Sequence, residues 1–316
     1  MAPYLDPVNQ AFVDAGAKAG GPALYDLPYG QARGVLEGVQ QHDRAEDVLR
    51  VEIDAPVGPT GSVKTVLFKP ANTTGPIPLA VYFHGGGWIL GSPNTHDSLV
   101  SDLVREAGVA VAFPYYTPAP KAQFPQQFDE AYAAIEYYVK HGQEYGVKTD
   151  KIAYAGDSAG GHMAVAMSVL AHEKKLPATI SYQVLFYPVA DTLNESDTYK
   201  TFHDGPYLGA PLLRWMKDAF IPKFDDRSNI LTSPLLFGEE QAAAQPSTLI
   251  ITAAVDPLLS EGKQFGRLLQ RAGVDVAIFE ADGQIHDFAM LEPVRKSATA
   301  IASVELAALK IKMALS

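Results

Sequence analysis

Short apolar runs recur along the chain, separated by stretches in which apolar and polar positions alternate with helical spacing. Val63–Phe68 (VKTVLF), Leu79–Phe83 (LAVYF), Val109–Phe113 (VAVAF), Ile152–Ala155 (IAYA), Tyr182–Tyr187 (YQVLFY), Thr248–Val255 (TLIITAAV) and Val274–Phe279 (VDVAIF) predict strands. They are short, rich in β-branched or aromatic residues and bounded by Gly, Pro or Asp. Several are apolar at every position, as strands buried on both faces of a parallel sheet are. Helical patterns fall between them at 95–107, 126–142, 159–172 and 261–272. A last one at 293–314 carries Lys310 and Lys312 near its end, where the helix dipole favours cations. This alternation predicts an α/β protein with a mostly parallel sheet and helices on both faces.

Two stretches break the rhythm. Residues 1–45 are helix-like without a strand. Residues 190–235 lie between two strands, are too long for a simple crossover, and carry Tyr199, Phe202, Tyr207, Trp215, Phe220 and Phe224. Long insertions of this kind serve as lids or binding loops. The 316 residues, 47% apolar and 19% charged, suffice for a large folded core. A net charge of −11 offers no footprint for nucleic acid or anionic lipid. With no cysteine, thiolate catalysis, disulfides and cysteine metal sites are excluded. The start of the chain lacks the basic and apolar segments of a secretory signal, and no run reaches ~18 apolar residues, so a cytoplasmic protein without a membrane span is expected.

The chemistry concentrates in AYAGDSAGGHMA, residues 153–164. Ser158 stands between a strand and a helical pattern, the context of a nucleophile elbow. Gly156, Ala159, Gly160 and Gly161 let the chain turn tightly there, and a helix N-terminus sets N–H groups beside a developing oxyanion. A serine nucleophile needs a base, and the base needs a carboxylate. His162 and His172 fall on the following helix and His203 in the insertion, whereas His286 follows a strand in the loop Gly283-Gln-Ile-His-Asp-Phe. Ligand chemistry in open α/β sheets gathers at such strand ends, which selects His286. Asp256 ends TLIITAAV ahead of Pro257 and is preferred as the acid over Asp287, because adjacent loop side chains seldom face one another. Asp157 is expected to brace the elbow by hydrogen bonds. YFHGGGW, with Gly85, Gly86, Gly87 and Trp88 after a strand, supplies a second set of N–H donors.

These motifs resemble those of the bacterial hormone-sensitive-lipase-like carboxylesterases (family IV) of the α/β-hydrolase superfamily. HGGGW with Thr95–Asp97, GDSAGG at 156–161, DPL at 256–258 with Glu261-Gly262, and the His286 loop agree in order over nearly the whole chain. The resemblance implies an α/β-hydrolase fold with an eight-stranded sheet. Residues 46–189 and 236–316 would form the catalytic domain, and 1–45 with 190–235 a helical cap. It implies cleavage of short- to medium-chain acyl esters with no cofactor, with oxyanion donors at Gly86, Gly87 and Ala159 and Gly85 left open. Trp88, Trp215 and Met216 are pocket candidates. Two motifs depart from the family pattern. Thr117 and Lys121 stand for its Arg and Glu before Phe124-Pro125, and Leu259 and Ser260 replace an Arg-Asp pair. An ion-pair network behind the site is therefore expected to be absent or replaced.

The expected partner is a small-molecule ester, with a homodimer left open. An amidase or arylformamidase would use the same residues. A ligand receptor on this fold would lack the catalytic histidine, and a metal-dependent hydrolase would need a His-x-x-x-His or similar cluster that the chain lacks.

Overall fold

The computed structural model describes residues 3–316; Met1 and Ala2, at the edge of the expected cap, lie outside the described residues. In chain order the elements are α1 (Pro7–Ala19), α2 (Tyr29–Val39), β1 (Val48–Ala55), β2 (Val63–Pro70), β3 (Ile77–Phe83), α3 (Asp97–Ala107), β4 (Ala110–Pro114), α4 (Gln126–His141) and β5 (Val147–Asp157). They continue with α5 (Ala159–Glu173), β6 (Thr179–Phe186), α6 (Asp197–Thr201), α7 (Ala210–Phe220), α8 (Glu239–Ala243), β7 (Thr248–Val255), α9 (Leu259–Arg271), β8 (Val276–Ile285) and α10 (Ala298–Leu315).

The eight strands form one sheet in the order β1-β2-β4-β3-β5-β6-β7-β8. β1–β2 and β2–β4 pair antiparallel; from β4 to β8 every pairing is parallel. The central strands are buried on both faces, which is why they read as unbroken apolar runs. α3 and α10 cover one face together. α4, α5 and α9 are further helical cover packed on the strands.

Three readings of the sequence change. β1 (VLRVEIDA) escapes the apolar pattern, because Arg50, Glu52 and Asp54 interrupt it and Leu49 and Val51 are exposed at the sheet edge. The last helix begins at Ala298 rather than 293: Ser297 caps it, its Oγ accepting from the Ala300 N–H at 3.2 Å. β8 runs on to Ile285, six residues past the predicted end, so His286 follows the strand directly.

The amino-terminal segment is fastened to that strand. The Asp6 N–H donates to the Gly283 carbonyl at 3.1 Å, and the Ile285 N–H to Asn9 Oδ1 at 3.1 Å. Asn9 Nδ2 donates to Gln284 Oε1 at 3.0 Å, and Asn9 and Gln284 are both fully buried. α2 reaches the insertion through Tyr29, stacked on Trp215 of α7 with ring centroids 5.0 Å apart. No helix among the described residues is long and apolar enough to cross a membrane.

Candidate active site

Ser158 stands between the end of β5 and the start of α5 with φ 52° and ψ −119°, a strained conformation for a residue with a side chain. Packing permits the turn. A Cβ on Gly160 would collide with the Phe83 carbonyl of β3, so the first turn of α5 approaches the sheet only with glycine there. At the start of α5 the Ala159 N–H is left without an intrahelical partner, and the His162 N–H donates to the Ser158 carbonyl at 3.1 Å.

His286 Nε2 lies 2.8 Å from Ser158 Oγ, and His286 Nδ1 lies 2.7 Å from Asp256 Oδ2. Facing a carboxylate, Nδ1 carries the proton and Nε2 is left to accept from the serine hydroxyl. All three side chains are buried. Asp256 is held in turn, its Oδ1 accepting from the Leu258 N–H at 2.8 Å. Burial disfavours a charge on His286, but Asp256 and then Asp287 outweigh it and raise its pKa above the ordinary histidine value.

The remaining histidines lie elsewhere. His162 is buried with Nε2 3.1 Å from the Thr232 carbonyl, and burial lowers its pKa to about 4. His172 sits in the last turn of α5, and exposed His203 pairs with Asp204 at 2.7 Å. Asp287 departs from the sequence reasoning: it does face its neighbour, with Oδ1 3.4 Å from His286 Nε2. That is the nitrogen opposite the one Asp256 holds. A left-handed backbone (φ 65°) turns the side chain there, which sequence alone does not signal.

The loop after β3 faces the elbow. Gly86 and Gly87 have φ values of 92° and 59°. The Gly85 N–H is engaged by Asp157 Oδ1 at 2.9 Å. Among the described residues the N–H groups of Gly86, Gly87 and Ala159 have no hydrogen-bond partner. Asp157 also accepts from Tyr82 OH at 2.7 Å and faces His96 Nε2 at 3.3 Å. It therefore ties the elbow to the glycine loop. Nothing in the sequence marks Tyr82 for that task, and His96 stands out there only as the middle of the Thr95–Asp97 match.

The pocket candidates separate. Met216 lies against Gly87, where an added Cβ would meet its sulfur. Trp88 is buried, stacked on Phe220 at 4.3 Å and edge-on to His162 at 5.4 Å, a brace between insertion and core. Trp215 joins the insertion to α2 through Tyr29. Sequence reasoning missed Tyr187, whose ring centroid is 4.8 Å from that of His286. The two departing motifs are bridged by hydrogen bonds to backbone. Thr117 N–H donates to Glu130 Oε2 at 2.6 Å, and Arg33 of α2 donates to the Ile89 and Ala119 carbonyls, both at 2.8 Å. Ser260 N–H donates to Thr198 Oγ1 at 3.1 Å, and Thr198 Oγ1 to the Pro257 carbonyl at 2.6 Å.

Comparison with known proteins agrees with this architecture. Residues 80–290 match the family model described as the alpha/beta hydrolase fold. An esterase of Gibberella moniliformis is 42% identical over 98% of this chain and 97% of its own, and one of Fusarium pseudograminearum 38% identical over 98% and 95%. The crystal structure of a thermostable esterase from Pseudomonas putida ECU1011 superposes with a TM-score of 0.96 at 34% identity, covering 100% of this chain and 99% of that one. The two sequence relatives are fungal, so the bacterial qualifier suggested by the motifs is not carried forward. The match across the sheet and the likeness to these esterases make the chain a member of the alpha/beta hydrolase fold family, within its hormone-sensitive-lipase-like group.

Proposed function

We propose that this chain, a carboxylic ester hydrolase, cleaves short- to medium-chain acyl esters through an acyl-enzyme on Ser158. The observation that carries the reading is the hydrogen-bonded series Ser158–His286–Asp256, 2.8 Å and 2.7 Å long, rooted at a strained strand-to-helix turn. Ser158 Oγ attacks the ester carbonyl as His286 Nε2 takes its proton. The buried Asp256 carboxylate steadies the imidazolium, and the Gly86, Gly87 and Ala159 N–H groups receive the oxyanion. His286 returns the proton to the departing alcohol oxygen. Water, deprotonated in the same way, then releases the acid and restores Ser158.

The chain-length preference follows from the cap. Residues 1–45 and 190–235 form it in this reading, and the Tyr29–Trp215 stack joins the two parts. Met216 lies against Gly87 and limits the room beside the glycine loop, supporting a short acyl pocket. Each methylene buried adds only about 0.8 kcal/mol, so preference should be graded, with acetyl to hexanoyl esters favoured over long-chain lipids. Amide hydrolysis would use the same residues, but the named relatives are esterases, which favours the ester. The test is Ser158→Ala on p-nitrophenyl esters of increasing acyl length: a folded protein should lose roughly 10⁴–10⁶-fold in kcat. A variant keeping a tenth of wild-type turnover would remove Ser158 from the mechanism.

A further inference from the structure

We propose that Asp287 is a specificity-determining residue on the alcohol side of the site, accepting a hydrogen bond from a hydroxyl carried by the leaving alcohol. The proposal rests on the serine mechanism above. Asp287 sits at φ 65°, a backbone that glycine adopts freely and aspartate only at a cost. This conformation brings Oδ1 to 3.4 Å from His286 Nε2. Oδ2 is held by Tyr207 OH at 3.2 Å, and the Tyr207 ring packs against Phe12 of α1 with centroids 5.8 Å apart. Oδ1 is buried and, among the described residues, has no hydrogen-bond partner. Folded proteins seldom leave a buried carboxylate oxygen in that state, and a donor on the substrate would complete it.

Geometry identifies the part of the substrate concerned. Nε2 hands its proton to the departing alcohol oxygen, which must therefore approach Nε2 to about 3 Å. With Oδ1 3.4 Å from the same nitrogen, the two oxygens stand no more than about 6.5 Å apart. A hydroxyl on the carbon next to the one bearing the ester oxygen bridges such a span with an ordinary hydrogen bond. Acyl groups attach on the opposite side of the scissile bond. The ligand class is thus an ester of a vicinal diol or polyol, and the carboxylate disfavours an alcohol that is itself anionic.

The experiment compares 2-hydroxyethyl butyrate with its isostere n-propyl butyrate, by pH-stat titration, for wild type, Asp287→Gly and Ser158→Ala. Hydrogen bonds to charged groups are strong enough that wild type should favour the hydroxyethyl ester in kcat/KM by roughly 10- to 100-fold. In Asp287→Gly, which suits the left-handed backbone, that ratio should fall to about threefold or less. A wild-type ratio near unity would overturn the proposal without any variant. An equal loss on both esters in Asp287→Gly would do the same, since it would mark Asp287 as a structural residue only. Failure of the serine reading looks different: Ser158→Ala would continue to turn over n-propyl butyrate, whatever the ratio.

Discussion

Replacing Asp157 by alanine should damage stability and catalysis together, and the structure supplies the size of both effects. The carboxylate is fully buried and receives Tyr82 OH at 2.7 Å, the Gly85 N–H at 2.9 Å and His96 Nε2 at 3.3 Å. Burial works against its charge, but the His96 charge and the bonds from His96 and Tyr82 outweigh it and hold its pKa below the usual carboxylate range. Burial likewise opposes a charge on His96, and Asp157 overcomes it and raises that pKa. Removing one partner of a buried ion pair costs about 3–5 kcal/mol, because the other is left uncompensated. At ~2 °C per kcal/mol for a large domain, the melting temperature should fall by roughly 6–10 °C. The catalytic effect travels through Gly85. Without its anchor the Gly86–Gly87 loop can drift, and a misplacement of about 1 Å costs on the order of 100-fold in kcat. Scanning calorimetry and p-nitrophenyl butyrate turnover, measured well below the lowered melting temperature, test the two parts. Asp157→Asn, which keeps an acceptor for the Gly85 N–H, should lose less kcat than Asp157→Ala. If Asp157→Ala kept wild-type kcat, the tie between elbow and glycine loop would have no catalytic role and the reasoning would fail.

Three further outcomes are expected. Asp256→Asn should lower kcat by roughly 10⁴-fold with the fold intact, because the amide favours the wrong histidine tautomer, and Asp287→Asn by far less; the reverse order would assign the wrong acid. Protonated His286 cannot act as base, and two carboxylates raise its pKa, so the acid limb of the kcat/KM profile should have its midpoint above the ordinary histidine value of about 6.5; a midpoint below that value contradicts the electrostatics described. Deleting residues 1–40 removes the Asp6 and Asn9 bonds to β8 and the Gln40 side-chain bonds to the Thr95 and Met290 carbonyls. It should therefore lower the melting temperature as well as kcat/KM, and loss of kcat/KM alone would reduce the segment to a lid.

What could be read from the sequence depended on whether a residue's role is local. The elbow announces itself because strand, tight turn and helix follow one another within AYAGDSAGGHMA, and parallel strands announce themselves through burial on both faces. β1 did not, because an edge strand keeps polar residues on its open side. The attachment of Asn9 to Gln284 left no trace, since each is an ordinary polar residue until the fold brings them together. The orientation of Asp287 depends on one backbone dihedral. Trp88 follows HGGG, which suggested a pocket role, yet its ring turns into the interior against Phe220.

The attachment of α1 to β8 also bears on when activity can arise. The bond from the Ile285 N–H to Asn9 spans 276 positions, among the widest separations in the chain. Contacts closed over such distances form late, since the entropy of bringing the ends together comes before any reward. On a ribosome adding roughly 5–20 residues per second, Asn9 emerges about a quarter of a minute to a minute before its partner strand exists. The serine elbow and glycine loop are translated long before His286, the base in the proposed mechanism. Nascent chains stalled ahead of residue 286 should therefore carry no hydrolytic activity, which first arises once residue 286 has left the ribosome.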